Sequence, residues 1–289
     1  MSRSTPETLR RTPAPAAVDA ASGVPFSAQR RAATAANLVA LRTLVRREIA
    51  RIIRIWTQTL IPPAITMTLY FVIFGKLIGS RIGSIEGGFT YMQYIVPGLV
   101  MMSIITNSYG NISSSFFGLK FSRAVEEMLV SPMPNWVILT GYVAGAVVRG
   151  LVVGVLVLGI ALFFTSLDIQ HPLITFASVL LGAIIFSLAG FINAVYATKF
   201  DDIALVPTFI LTPLTYLGGV FYSVNMLSEP WQGLSRANPI LYMVNAFRFG
   251  VLGISDVNVP MAFVVMLGFV VGLSMFALYL LKRGVGLRS

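Results

Sequence analysis

The sequence predicts an all-α membrane protein with six transmembrane helices, and three observations carry that reading. Six apolar segments are each long enough to cross about 30 Å of hydrocarbon: Leu60 to Ile78, Tyr94 to Ile112, Trp136 to Phe164, Leu173 to Tyr196, Leu205 to Phe221 and Met261 to Leu281. In lipid a backbone satisfies its own polar groups only as a helix or a closed barrel, and segments of this length and apolarity read as helices. Composition agrees, with 56% hydrophobic and 11% charged residues, where soluble domains carry about a quarter charged residues. The third observation is the placement of cations. Ten arginines precede the first span, and Lys120, Arg123, Lys199, Lys282, Arg283 and Arg288 fall on the same side, against Lys76, Arg81, Arg236 and Arg248 on the other. The positive-inside rule then puts both termini in the cytoplasm, and an even number of spans agrees with their lying on one side. This distribution also turns the net charge of +10 from a nucleic-acid signal into a topology signal.

Residues 1–36 are rich in Pro, Ala, Ser, Thr and Arg without an apolar period and predict a disordered cytoplasmic tail. Residues 37–56 change character. Leu38, Leu41, Leu44, Val45, Ile49, Ile52, Ile53 and Trp56 recur at helical spacing, with Arg42, Arg46, Arg47, Arg51 and Arg54 between them. The expectation is an interfacial amphipathic helix, its apolar face in the acyl boundary and its guanidinium groups at the lipid headgroups. Residues 57–289 form the membrane domain, with Pro62 and Pro63 at the start of its first span.

After the second span, Phe116 to Pro134 interleaves Lys120, Arg123, Glu126 and Glu127 with Phe121, Val125, Met128, Leu129 and Val130. It reads as a short cytoplasmic amphipathic helix, stopped by Ser131, Pro132 and Pro134, and as a docking element for a soluble partner. In the third span Arg149 lies where a cation is costly and faces protein or a counter-charge. No acid occurs within the spans, so Arg149 is expected to tether to Asp201 and Asp202 in the fourth-to-fifth connection. Ser103, Thr106, Asn107, Ser108, Asn111, Ser113 to Ser115, Ser187 and Asn193, with Gly141, Gly145, Gly150, Gly154 and Gly159, predict close helix packing. Between the fifth and sixth spans, Ser228, Glu229 and Pro230 open one piece too short to cross, and Asn238 and Pro239 open another. These are expected to be interfacial or re-entrant, with Trp231, Tyr242, Phe247, Phe249, Arg236 and Arg248 near the outer boundary.

Several chemistries find no residues here. There is no phosphate loop, no G-x-S-x-G or H-E-x-x-H pattern and no intramembrane acid pair. The single histidine, His171, and the lack of cysteine offer no metal site. The chain is therefore expected to bind no cofactor, metal or nucleic acid and not to be an enzyme.

The stretch Phe200 to Val224, FDDIALVPTFILTPLTYLGGVFYSV, and Trp231 to Gly250, WQGLSRANPILYMVNAFRFG, resemble the signature of the ABC-2 type transporter permease family, as do EEMLVSP at Glu126 to Pro132 and YIVPGLVMMS at Tyr94 to Ser103. Within that family the chain is most similar to YadH-like permeases of the bacterial inner membrane. The resemblance spans about Arg54 to Ser289 and implies the permease half of an exporter. Two permease chains would pair, most simply as a homodimer among membrane lipids, and a separate ATP-binding subunit would hold ATP and Mg. It also implies that Phe121, Arg123, Glu126, Glu127, Leu129 and Pro132 belong to a coupling helix seated on that subunit. Pro213, Tyr216, Gly218, Gly219, Trp231, Asn238, Pro239, Tyr242 and Arg248 would belong to the signature and outer gate. The competing readings are an intramembrane lipid-modifying enzyme and a nucleotide-independent channel.

Overall fold

The computed structural model describes residues 26–82 and 88–286, and these are helical almost throughout. The expected tail falls mostly on residues 1–25, outside the described residues, as do Arg288 and the side chains of Arg30, Arg31, Lys76 and Leu129.

Helix α1 (Phe26–Arg54) begins eleven residues before the expected onset at Asn37. Ala28, Ala32, Ala33, Ala35 and Ala36 explain the extension, because alanine has the highest helix propensity. The chain breaks at Ile55 and continues as α2 (Trp56–Tyr70), a π-helical segment (Phe71–Ile78) and the short α3 (Gly79–Ile82). Pro62 and Pro63 lie inside α2 rather than at its start. Helix α4 (Tyr91–Phe121) is opened by a capping box in which Thr90 accepts from the Gln93 amide and the Gln93 side chain accepts from the Thr90 amide. After α5 (Ala124–Val130) come two long helices, α6 (Asn135–Ala161) and α7 (Pro172–Tyr196). The next apolar stretch is α8 (Phe200–Val206), a π-helical turn (Pro207–Leu211) and α9 (Thr212–Leu217). Two short helices, α10 (Glu229–Arg236) and α11 (Pro239–Leu252), precede α12 (Val259–Arg283), which closes on Gly284 in the left-handed conformation.

Among the described residues, five helical stretches are long and apolar enough to cross a membrane: Trp56–Gly75, Asn135–Ala161, Pro172–Tyr196, Phe200–Leu217 and Val259–Arg283. Helix α4, the expected second span, is not among them although its 31 residues suffice in length. Its position explains its polarity. It packs most extensively against α7 and α6 and also meets α11, so Ser103, Ser108, Asn111, Ser113 and Ser115 are buried against protein, while Thr106 and Ser114 stay exposed.

Two apolar clusters fill the bundle. One joins the first half of α4 to α7, α11 and the second half of α6, around Tyr94, Leu99, Ile104, Phe186, Met243 and Val251. The other gathers one end of the molecule, where the last turns of α4, α7 and α12 meet the start of α6 and the middle of α1, around Phe116, Ile138, Tyr142, Phe191, Leu281 and Leu44. The cations Arg47, Arg51, Arg54, Lys120, Arg123, Lys282 and Arg283 lie on these same segments or beside them.

Small residues set the helix spacing. A Cβ on Gly141 would meet Leu44 Cβ at 2.9 Å, and one on Gly145 would meet Glu48 Cβ at 2.4 Å, so α1 lies directly on α6. A Cβ on Gly150 would strike the Ser108 hydroxyl of α4, and one on Gly190 of α7 would come within 2.6 Å of the Tyr109 carbonyl. Gly159, expected to act similarly, has nothing within 4 Å. Helix α1 thus buries one side against protein, while Leu38, Val39 and Ile53 stay exposed.

Candidate functional site

The end of the bundle that carries the cations also carries the expected docking element. Helix α4 continues through Phe121, so the segment expected to start a separate helix at Phe116 is still the end of α4, and only Ala124–Val130 forms the short helix α5. The turn between them rests on Arg123, the one non-glycine residue with positive φ (60°) among those described. Val125 and Met128 point inward and are buried. Outward lie Arg123, Glu126 and Glu127 beside exposed Phe121 and Val130, with Pro132 exposed just beyond. Glu126 and Glu127 sit in the first turn of α5, where the helix dipole favours negative charge. Phe121 and Phe117 of α4 both pack on Phe200 at the start of α8, with centroids 5.0 and 4.9 Å away. Lys120 Nζ donates to the carbonyls of Val195 and Ala197 at 2.6 Å each, satisfying the C-terminus of α7. Burial pulls this ammonium below its ordinary pKa, and the Asp202 carboxylate pulls it back up. The platform under α5 is therefore fixed to both α7 and α8.

The expected tether from Arg149 to Asp201 and Asp202 is not formed. Arg149 lies fourteen residues into α6, about 21 Å along the helix at 1.5 Å per residue, whereas Asp201 and Asp202 sit in the first turn of α8, just past the end of α7. Asp202 instead accepts from the backbone amides of Thr198 and Lys199 at 2.8 and 2.9 Å and from the Thr198 hydroxyl, closing the three-residue connection between α7 and α8. Arg149 Nη1 donates to Asn111 Oδ1 at 3.4 Å.

Asn111 belongs to a buried network that joins α1, α4 and α6. Its Oδ1 also accepts from Arg51 Nη2 at 2.8 Å, and the same nitrogen donates to Glu48 Oε2 at 2.9 Å. Glu48, 2% exposed, accepts in addition from the Ser115 hydroxyl at 2.8 Å and lies 3.7 Å from Arg47, which donates to the Tyr142 hydroxyl. Of the other polar residues expected to bridge helices, Ser113 donates across to the Gly190 carbonyl at 3.0 Å. Ser103, Thr106, Asn107, Ser114 and Ser187 instead donate to carbonyls of their own helices.

At the opposite end, the glycine pair after α9 and the start of α11 interlock. Gly219 adopts φ of +70° and a Cβ on Gly218 would meet Ile240 at 2.7 Å. Asn238 accepts from the Ile240 amide to cap α11 and donates to the Leu214 carbonyl at 2.5 Å, with Pro239 at the first helical position. Arg248 is fully buried. Its guanidinium lies 4.0 Å from the Tyr94 ring centroid, donates from Nη2 to the Gly219 carbonyl at 2.6 Å, and comes within 4.0 Å of Asp256. Asp256 accepts from the Ser223 hydroxyl and the Val224 amide. Phe247 is likewise buried, 2% exposed. Both side chains thus face protein rather than lipid or water, because α11 packs among α4, α7 and α12. Pro213, Tyr216 and Trp231 are exposed, and Tyr242, half-buried, donates to the Arg236 carbonyl.

Comparison with known proteins decides the family. The ABC-2 type transporter model matches residues 39–252. The chain belongs to the ABC-2 type transporter family. It is 57% identical over 251 residues to the inner membrane transport permease YadH of Escherichia coli K12, covering 87% of this chain and 98% of that one. More distant relatives include nodulation protein J of Rhizobium meliloti strain 1021, 26% identical over 197 residues, 66% of this chain and 73% of that protein. Nodulation protein J of Neorhizobium galegae is 22% identical over 186 residues, 64% of this chain and 71% of the other.

This ABC-2 transport permease, a multi-pass protein of the inner membrane, contains two polar centres that reading along the sequence missed. Glu48 escaped because the apolar-face argument treated residues 37–56 as facing lipid, although Glu48 and Arg51 stand at the i,i+3 spacing that pairs side chains on one helix face. Asp256 escaped because it lies in a short connection far along the chain from Tyr94 and Gly219, and nothing local marks it as the counter-charge of Arg248. Among the described residues of the permease no group of acids and histidines could hold a metal ion.

Proposed function

We propose that this chain is the membrane subunit of an ATP-binding-cassette exporter, working as a homodimer and driven by a separate ATP-binding subunit that carries ATP and Mg. The observation that carries this reading is the face formed by the end of α4 and by α5: Phe121 and Val130 are 66% and 86% exposed beside Glu126 and Glu127, with α5 braced from behind by Val125 and Met128. An exposed apolar and acidic patch on a short braced helix is the kind of surface that a groove of a partner protein recognises. Closure of the motor subunits on ATP would favour one arrangement of the paired permeases through differential contacts at α5. Leu129 and Pro132 complete that contact.

In this reading α4 is the sixth crossing, its polar face turned to the bundle, and both termini are cytoplasmic at the α5 end. Helices α10 and α11, about 12 and 21 Å long by rise per residue, form a re-entrant pair on the outer side. There Trp231, Tyr242, Pro213 and Tyr216 line the gate, while Gly218, Gly219, Asn238, Pro239 and Arg248 shape it. Cargo would pass between the two permeases along α2, α4 and α8–α9, and the apolar walls suit an amphiphile.

The test is co-purification with an ATP-binding-cassette subunit followed by cargo-stimulated ATP hydrolysis. Replacing Glu126 with Lys and Leu129 with Asp should abolish capture of the motor and export while the permease still inserts. Docking and export unchanged in that double variant would refute the assignment, and cargo movement or substrate turnover by the chain alone would favour a channel or an enzyme.

A further inference from the structure

Helix α1 and the last third of α4 enclose a cleft of about 460 Å³ lined by Arg47, Glu48, Arg51, Arg54, Ser114 and Ser122, among others, within the range of small-molecule sites. Three arginines line it against one carboxylate. That carboxylate is already engaged, since Glu48 accepts from Ser115 and Arg51. Arg51 overflows onto the neutral Asn111 oxygen, which Arg149 also approaches from behind at 3.4 Å. Two cations thus share one uncharged acceptor, and Arg51 Nε has no partner. Arg54 is exposed at the rim and joins none of the ion pairs found among the described residues. The Ser114 and Ser122 hydroxyls donate to carbonyls of α4 itself, and Arg47 and Arg51 are partly committed to Tyr142, Glu48 and Asn111. The cleft therefore keeps a net positive charge, with the exposed Arg54 guanidinium as its uncommitted donor.

A surplus of positive charge beside an apolar bundle calls for an anion, and the planar fork of arginine matches phosphate oxygens two at a time. We infer that the cleft between α1 and α4 binds a phosphate-bearing anion, borne either on an amphiphile as its headgroup or on a soluble ligand. The site adjoins the platform of α5, because Leu119 and Ser122 line it and Arg123 starts the turn into α5. The inference is independent of ATP coupling, so its failure would leave the exporter reading intact.

The test uses the purified full chain in neutral detergent and three probes: short-chain phosphatidylglycerol, short-chain phosphatidylcholine and inorganic phosphate, with binding followed by native mass spectrometry and thermophoresis. Phosphatidylglycerol or inorganic phosphate should bind at one per chain in preference to phosphatidylcholine. Arg54→Gln should weaken that binding about tenfold, the value of one charge-assisted contact, and Arg54→Lys should restore part of it. The thermal midpoint should stay unchanged because Arg54 holds no other element. Phosphatidylglycerol binding that inorganic phosphate does not displace assigns the site to a lipid-borne phosphate; binding of inorganic phosphate with no preference for the lipid assigns it to a soluble one. Equal binding of phosphatidylglycerol and phosphatidylcholine, binding of no probe, or an Arg54→Gln variant that binds like the parent would overturn the inference.

Discussion

Arg248 shows how a single residue can change meaning between sequence and structure. Among aromatic residues in a stretch expected at the membrane boundary it reads as an interfacial cation. In the fold it is a buried clasp, joining Tyr94 of α4, the carbonyl of Gly219 and Asp256 across three separate parts of the chain. Removing one partner of a buried pair strands the other charge and costs about 3–5 kcal/mol. Arg248→Leu should therefore lower the thermal unfolding midpoint sharply in detergent, even though it adds apolar bulk. Glycine positions give a second residue-level test. In Gly145→Val the new side chain would collide with Glu48 at the α1 crossing, at a cost of about 1–3 kcal/mol for overpacking. Gly159→Ala meets open space and should leave stability unchanged or raised by up to about 1 kcal/mol, the propensity difference within a helix. Both are read as shifts in thermal midpoint, and equal effects of the two would contradict the proposed crossing. Gly141, Gly145, Gly150 and Gly154 of α6 were legible as packing residues in the sequence and Gly159 was misread, but which helix each one admits was not legible, because spacing names a face without naming its neighbour.

At the scale of elements, the sequence located α5 between the second and third spans but misjudged its extent. Apolar and charged residues alternate from Phe116 onward, so periodicity alone could not separate the end of α4 from the start of α5. The break is made by backbone conformation at Arg123, whose left-handed geometry costs about 1–2 kcal/mol in an L-residue. Arg123→Gly should hold the turn and the docking of the motor subunit, whereas Arg123→Val, β-branched and ill-suited to positive φ, should weaken capture of that subunit in a pull-down. Helix α4 teaches the converse. Its Ser, Thr and Asn content makes it the least lipid-like of the expected spans, yet it is the most enclosed, and enclosure is what permits the polarity. Of its Ser, Thr and Asn side chains, Ser103, Thr106, Asn107 and Ser114 return to carbonyls of their own helix, and Ser113, Ser115 and Asn111 reach across.

Across the whole molecule, the two apolar clusters divide the bundle into two ends, one gathering the cations, α5 and the Glu48 network, the other carrying the Arg248 clasp and α10. The chain has no cysteine, so single cysteines report sidedness cleanly. Ser131→Cys, beside α5, should resist a membrane-impermeant maleimide in intact cells, and Ser228→Cys, before α10, should react with it. Labelling of both positions from outside would contradict the proposed six crossings and the cytoplasmic position of α5.

By itself the sequence determined the helical class, the approximate positions of the apolar segments, the short α10 and α11, and the likeness to ABC-2 permeases. Each follows from local hydropathy, from proline and capping residues, or from a contiguous motif. Only the tertiary structure decided which polar groups meet across helices. Glu48 with Arg51 and Asp202 with Thr198 and Lys199 are local. Arg51 with Asn111 and Glu48 with Ser115 are pairings set by helix crossings, and Arg248 meets Tyr94, Gly219 and Asp256 only in the folded bundle. A partner on another helix is chosen by distance in space, which the order of residues does not encode.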